Sequence, residues 1–195
     1  MRWIWIDRFI EFQSGQSAKA VKNVSLAEDH LHDHFPGYPV MPNSLITEGL
    51  AQTAGLLVGE TSSFSEKVIL AKLPKVIFHV PAVPGDTLLY SAKIEQLMDT
   101  GAICSATCHV LPLQVPGLNL QTEPRLQAEA EIVFAFLRDE QRAKSLFEPK
   151  NFVFTMKLLG VFEVGRAADG SKLQEPPGLA QLKLGEDASP AKGDA

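Results

Sequence analysis

The 195-residue sequence predicts an α+β fold in which a largely antiparallel sheet wraps one long buried helix. Three features predict it. From 43 to 59 the chain is almost wholly small or apolar and carries a single charge, Glu48, and a helix apolar on nearly every face is usually enclosed by the rest of its fold. Around it lie short runs rich in Val, Ile, Leu and aromatic residues, with the lengths and composition of strands. Turn signals separate several of them, notably Val83-Pro84-Gly85-Asp86, of type II character, and Asp99-Thr100-Gly101, a hairpin connection.

Taken in order, 3–12 reads as a strand, Ser14 and Gly15 as a turn, and 18–24 as a second strand. A short polar connection over 26–31, with room for one helical turn, leads to a loop stiffened by Pro36, Pro39 and Pro42. The helix starts near Asn43 or Ser44, both good N-cap types, and stops around Gly59. Glycine costs a helix roughly 1 kcal/mol against alanine, so Gly49 and Gly55 inside it imply close approach of other groups. Further strands are expected at 67–73, 76–80, 87–96, 102–111 and 126–137, with a proline-bearing loop over 112–124. The domain is expected to span 1–165, including a C-terminal extension from about 138. Its apolar run 151–164 should pack on something, whereas 166–195 lacks periodicity and reads as a disordered tail.

Composition narrows the function classes. Hydrophobic content of 45% and charged content of 21% are those of an ordinary globular domain. A net charge of −5 argues against a nucleic-acid surface. No run reaches the roughly 18 apolar residues of a membrane span, and Asp7 and Arg8 interrupt the N-terminal apolar stretch too early for a secretory signal. The expected setting is therefore the cytoplasm, with no nucleic-acid or membrane partner. Cys104 and Cys108 share one strand-like run, where four residues place them about 13 Å apart, too far for a disulfide. They read as buried free thiols.

The chemistry concentrates in HLHDHFPGYPVMPNSLITEGLAQTAGLLVG, from His30 to Gly59. A histidine on a proline-fixed loop, followed by one acid on an apolar helix, suggests acid–base work. A carboxylate near the first turn, favoured there by the helix dipole, is the plainer alternative. Glu48 and Gln52 stand at i and i+4, hence on one face.

The segment HFPGYPVMPNSLITEGLAQTAG resembles the active-site segment of the bacterial 3-hydroxyacyl-acyl carrier protein dehydratases, hot-dog-fold enzymes of fatty acid synthesis. The likeness extends through AVKNVS upstream and KVIFHVPAVPGDTL downstream, covering roughly 6 to 137 with gaps. It implies a hot-dog fold, and His34 as the base that takes the C2 proton of a 3-hydroxyacyl thioester. It places Glu48 as the acid beside the departing hydroxyl, and the backbone N–H groups of Asn43 and Ser44 at the thioester oxygen. Val40, Gln52, Phe35 and Gly37 are the supporting residues, with the Val40 carbonyl holding the histidine ring. The implied partners are an acyl thioester on acyl carrier protein or coenzyme A and a second copy of the chain. The expected assembly is a homodimer, or a trimer of such dimers, with each site shared between two subunits. No cofactor is expected.

Two departures stand out. Asn43 occupies a position where the family usually has glycine, and Ile77 and Val80 stand where it usually has arginines. Two alternatives compete with dehydration. His30, His32 and His34, with Asp33 among them, form a cluster whose i, i+2, i+4 spacing on a strand would present three imidazoles to a metal such as zinc. Hot-dog proteins also include thioesterases and non-catalytic partners.

Overall fold

The computed structural model describes residues 4–111 and 123–137. Its elements in chain order are β1 (Arg8–Gln13), β2 (Ser17–Asn23), α1 (His30–Asp33), α2 (Asn43–Thr61), β3 (Lys67–Phe78), β4 (Thr87–Met98), β5 (Gly101–Leu111) and β6 (Arg125–Leu137). The strands form one antiparallel sheet in the order β1-β2-β4-β5-β6-β3, and α2 lies across it. This is the hot-dog arrangement. Among the described residues no helix is long and apolar enough to cross a membrane. The expected extension from about 138, its apolar run 151–164, the tail 166–195 and residues 112–122 of the expected loop lie outside the described residues.

Alternation builds the concave face. In β5, Ala102, Cys104, Ala106, Cys108 and Val110 are buried while Ile103, Ser105, Thr107, His109 and Leu111 are half-buried, the period-2 pattern of a strand with one face on a core. Both cysteines are free and buried, and burial pushes their thiols well up from the ordinary range. Register irregularities interrupt four of the five strand pairings, and such bulges bend a sheet locally. Against the resulting hollow α2 buries Ile46, Leu50, Ala54 and Leu57 completely. At Gly49 the helix packs tightly on a sheet side chain: an added Cβ would lie 2.6 Å from Tyr90 Oη and 2.8 Å from Cε2 of that ring.

Three boundaries differ from expectation. The first strand begins at Arg8 rather than Trp3, because Trp5 gives its backbone N–H to Gln52 Oε1 at 2.8 Å instead of to a neighbouring strand. Trp5 and Ile6 are buried all the same, so their apolar character reports burial and not pairing. The two strands expected at 67–73 and 76–80 are one strand, β3, with irregular register between Leu70 and Lys75. Pro74 lacks the N–H a ladder needs, which a central strand would not tolerate but the outermost strand of this sheet does.

The third difference is the end of α2, which runs past Gly59 to Thr61. Ser63 N–H bonds to Glu60 O at 2.8 Å and Phe64 N–H to Gly59 O at 2.9 Å, the paired bonds of a Schellman cap. The left-handed position of that cap normally takes glycine; here Ser63 occupies it at φ 51°, followed by Phe64 at φ 58°. A side chain in this region is penalised by roughly 1–2 kcal/mol. Ser63→Gly should therefore stabilise the protein by about 1 kcal/mol and raise the melting temperature by about 2–4 °C. A thermal melt checks this, and an unchanged or lower midpoint contradicts the cap as described.

Candidate active site

The loop after α1 fixes His34. Phe35-Pro36-Gly37-Tyr38 forms a tight turn in which Tyr38 N–H donates to Phe35 O at 2.9 Å and Phe35 N–H to Tyr38 O at 3.0 Å. Proline pre-sets the second position of such a turn, and Gly37 at φ 77° supplies the left-handed third. The chain returns so that Val40 N–H donates to His34 O at 2.8 Å. The Val40 carbonyl in turn lies 2.8 Å from His34 Nδ1. A carbonyl can only accept, so Nδ1 carries the proton in this hydrogen bond and, in the neutral ring, Nε2 is left basic. The Phe35 ring stacks on the imidazole, with centroids 4.2 Å apart. Phe35 and Tyr38 are 54% and 59% exposed, so the loop presents an aromatic rim.

The cluster of three histidines does not converge. The segment turns as the short helix α1 instead of extending as a strand, which sends the rings to separate partners. His30 Nε2 lies 3.4 Å from Met41 Sδ and its ring meets Trp5 edge-on, whereas His32 Nε2 is 2.9 Å from Leu26 O. Burial holds His30 below the ordinary imidazole value. Among the described residues no group of three or more His, Cys, Asp or Glu side chains is placed to hold a metal ion.

At the start of α2 the cap is Pro42, not Asn43 or Ser44, and no side chain caps the helix. The Pro42 carbonyl accepts from Leu45 N–H at 3.0 Å and from Ile46 N–H at 3.1 Å. The first N–H groups of a helix have no intrahelical acceptor, so those of Asn43 and Ser44 point out of an exposed helix end. Asn43 is helical, and the positive-φ non-glycine residues described are Ser63 and Phe64 alone. Asparagine therefore fits at 43 without backbone strain.

One turn further on, Glu48 and Gln52 are joined. Gln52 Nε2 donates to Glu48 Oε1 at 2.9 Å, while Gln52 Oε1 accepts from Trp5 N–H. Gln52 is fully buried and Glu48 half-buried. The relay fixes the direction of the carboxylate and sets it at one end of a cavity of about 210 Å³. Along α2 that cavity is lined by Glu48, Gln52, Gly55 and Gly59, and Phe64 and Phe134 form part of its apolar wall. His34 is not in its lining. His34, Phe35, Gly37 and Val40 thus lie together on the loop before α2, while Glu48 and Gln52 lie together along the helix at the cavity. Sequence reasoning did not single out Trp5, which holds Gln52, or Phe64, which lines the cavity. Trp5 acts through a contact 47 residues away, for which the sequence holds no signal. Phe64 had one: a large apolar residue directly after a helix end.

Residues 3–112 match a family model described as a FabA-like domain. The 3-hydroxyacyl-acyl-carrier-protein dehydratase FabZ of Listeria monocytogenes is 36% identical over 134 residues, spanning 68% of this chain and 85% of that protein. The corresponding dehydratase of a Wolbachia strain is 40% identical over 96 residues, 49% of this chain and 67% of its own. Among solved structures, smu.793 of Streptococcus mutans, bound to acetyl CoA, matches with a TM-score of 0.50 at 15% identity. That match covers 67% of this chain and 87% of the other. At that identity it bears on the fold alone.

Proposed function

The chain belongs to the FabA-like domain family, and from that membership we propose that it removes water from a (3R)-3-hydroxyacyl thioester to give the trans-2-enoyl thioester, in fatty acid or related acyl-chain synthesis. The observation that carries the reading is the hydrogen bond from His34 Nδ1–H to Val40 O. It leaves Nε2 as the free basic nitrogen on a loop too constrained to swing away.

In the reaction, His34 Nε2 takes the proton from C2, and the Glu48 carboxyl gives a proton to the C3 hydroxyl as its bond to carbon breaks. The hydroxyl leaves as water and the C2–C3 double bond forms. A proton then passes from the imidazolium back to the carboxylate through solvent, which restores both groups. Negative charge that develops on the thioester oxygen meets the open N–H of Asn43, with Ser44 beside it, at the positive end of α2. The Gln52 bond holds Oε1 of Glu48 in place and leaves the other oxygen for the hydroxyl.

The functional unit in this reading is a homodimer in which each site takes His34 from one copy and Glu48 from the other. That His34 is not among the residues lining the cavity that Glu48 borders supports it. So does the 12-residue strand β3 at the sheet edge, whose outer row of backbone groups can pair with a second copy. The acyl tail lies in the cavity along α2. Ile77 and Val80, where relatives of this kind usually have arginines, remove positive charge that an acidic carrier protein would meet. The acyl group is therefore carried by coenzyme A, or by acyl carrier protein through a different contact.

Hydration of crotonyl thioesters, on coenzyme A and on acyl carrier protein in parallel, tests the reading in the reverse direction. Loss of the conjugated enoyl absorbance with formation of a 3-hydroxybutyryl thioester is expected on at least one of the two carriers. A free acid as product would instead make the protein a thioesterase, and no reaction on either carrier would overturn the proposal.

A further inference from the structure

The cavity beside Glu48 follows α2 as far as Gly59, where the cap of the helix brings Phe64 into its lining, with Glu66, Val68 and Leu70 beyond. Its helical lining runs from Glu48 to Gly59 at spacings of three and four, one stripe along the helix. Over eleven residues that stripe is about 16 Å long. The Schellman bonds then turn the chain back, so that Phe64 folds over Gly59. The Phe64 ring lies 3.1 Å and 3.2 Å, through Cδ1 and Cε1, from where a Gly59 Cβ would stand. Contact between these two positions is a regular companion of the cap; here the first of them is glycine, and the ring settles into the space a side chain would fill. Glu60 and Ser62 hold the turn from within: Ser63 N–H bonds Glu60 O, and Ser65 N–H and Oγ–H both bond Ser62 O.

We propose that Phe64 is the end wall of the acyl groove and sets the upper limit on the chain length of the substrate. The inference rests on the dehydratase reading, which puts the reacting carbons at Glu48. An extended chain advances about 1.2 Å per bond and its end stops about 3.5–4 Å short of the ring atoms, so roughly ten carbons beyond C3 fit before the Phe64 ring, a chain of about thirteen in all. Medium-length 3-hydroxyacyl thioesters are therefore the substrate class, and longer tails meet the ring. Gly55 lies midway along the same stripe, where an added Cβ meets Phe134 at 3.4 Å, an ordinary contact. A leucine at that position projects into the groove and shortens it.

The test compares kcat/KM for crotonyl, octenoyl, dodecenoyl and hexadecenoyl thioesters within each variant. Ratios between lengths are used, so that any general loss of activity cancels. Wild-type protein is expected to favour dodecenoyl over hexadecenoyl by about tenfold or more, the scale on which an apolar pocket discriminates size. Phe64→Ala should erase that preference, and Gly55→Leu should move the fall to octenoyl. Damage to folding cannot shift the two ratios in opposite directions. Identical ratios in all three proteins overturn the proposal. Should wild type be inactive on every length, calorimetric binding of butyryl, octanoyl, dodecanoyl and palmitoyl coenzyme A separates the two claims. The same opposite shifts in affinity would uphold Phe64 as the end wall and end the dehydratase reading. Equal affinities across the variants would overturn the wall as well.

Discussion

His34→Ala and Glu48→Gln are each expected to lower the rate of enoyl hydration by about 10²–10⁴, the usual effect of deleting a positioned base or acid. That range corresponds to about 3–5 kcal/mol of transition-state stabilisation. Neither change should unfold the protein. The loop around His34 keeps its turn bonds between Phe35 and Tyr38 and the Val40 N–H bond to His34 O, all of which are backbone. At position 48 a glutamine retains an oxygen to accept from Gln52 Nε2, so the relay to Trp5 survives while the transferable proton is gone. Steady-state rates on protein with an unchanged melting temperature provide the check. Activity within about threefold of wild type in either folded variant would remove that residue from the chemistry.

The second large effect is on stability. Gly49→Ala should cost about 2–3 kcal/mol and lower the melting temperature by roughly 4–12 °C. Its Cβ would lie inside contact distance of Tyr90, a ring that is fully buried between sheet and helix and has nowhere to retreat. The helix must lift instead, and Glu48 is the adjacent residue, so activity should fall with stability. Gly49→Ala combined with Tyr90→Leu should be less destabilised than the sum of the single changes, because the truncated side chain vacates the space. An additive double variant, or a Gly49→Ala protein that melts like wild type, would contradict the packing described.

What could be read from the sequence, and what could not, divides by the range of the interaction. Helix α2 was evident because its apolar character is continuous, and β5 because its residues alternate; both are properties of a few consecutive positions. The pairs His34 with Val40 and Glu48 with Gln52 are six and four residues apart, and the structure joins each of them directly. Local signals misled where a residue type serves two purposes. Gly59 looked like a helix stop but is used for close contact with Phe64, while Ser63 takes the left-handed position that glycine normally fills. Pro74 looked like a strand boundary, yet lies within an edge strand. The three histidines have the spacing of a ligand set only on a strand, and the helical turn α1 disperses them. Contacts such as Trp5 to Gln52 and Gly49 to Tyr90 join distant parts of the chain. Only the fold reveals them.

Mixing the two inactive variants tests most directly whether His34 and Glu48 act together across two copies of the chain. In a dimer of one His34→Ala chain and one Glu48→Gln chain, one site combines both intact residues and the other combines both defects. Random exchange of equal amounts should therefore restore about one quarter of wild-type activity. Recovery near that level is the predicted result. No recovery after verified exchange of subunits would contradict the shared site and with it the proposed arrangement of the catalytic pair.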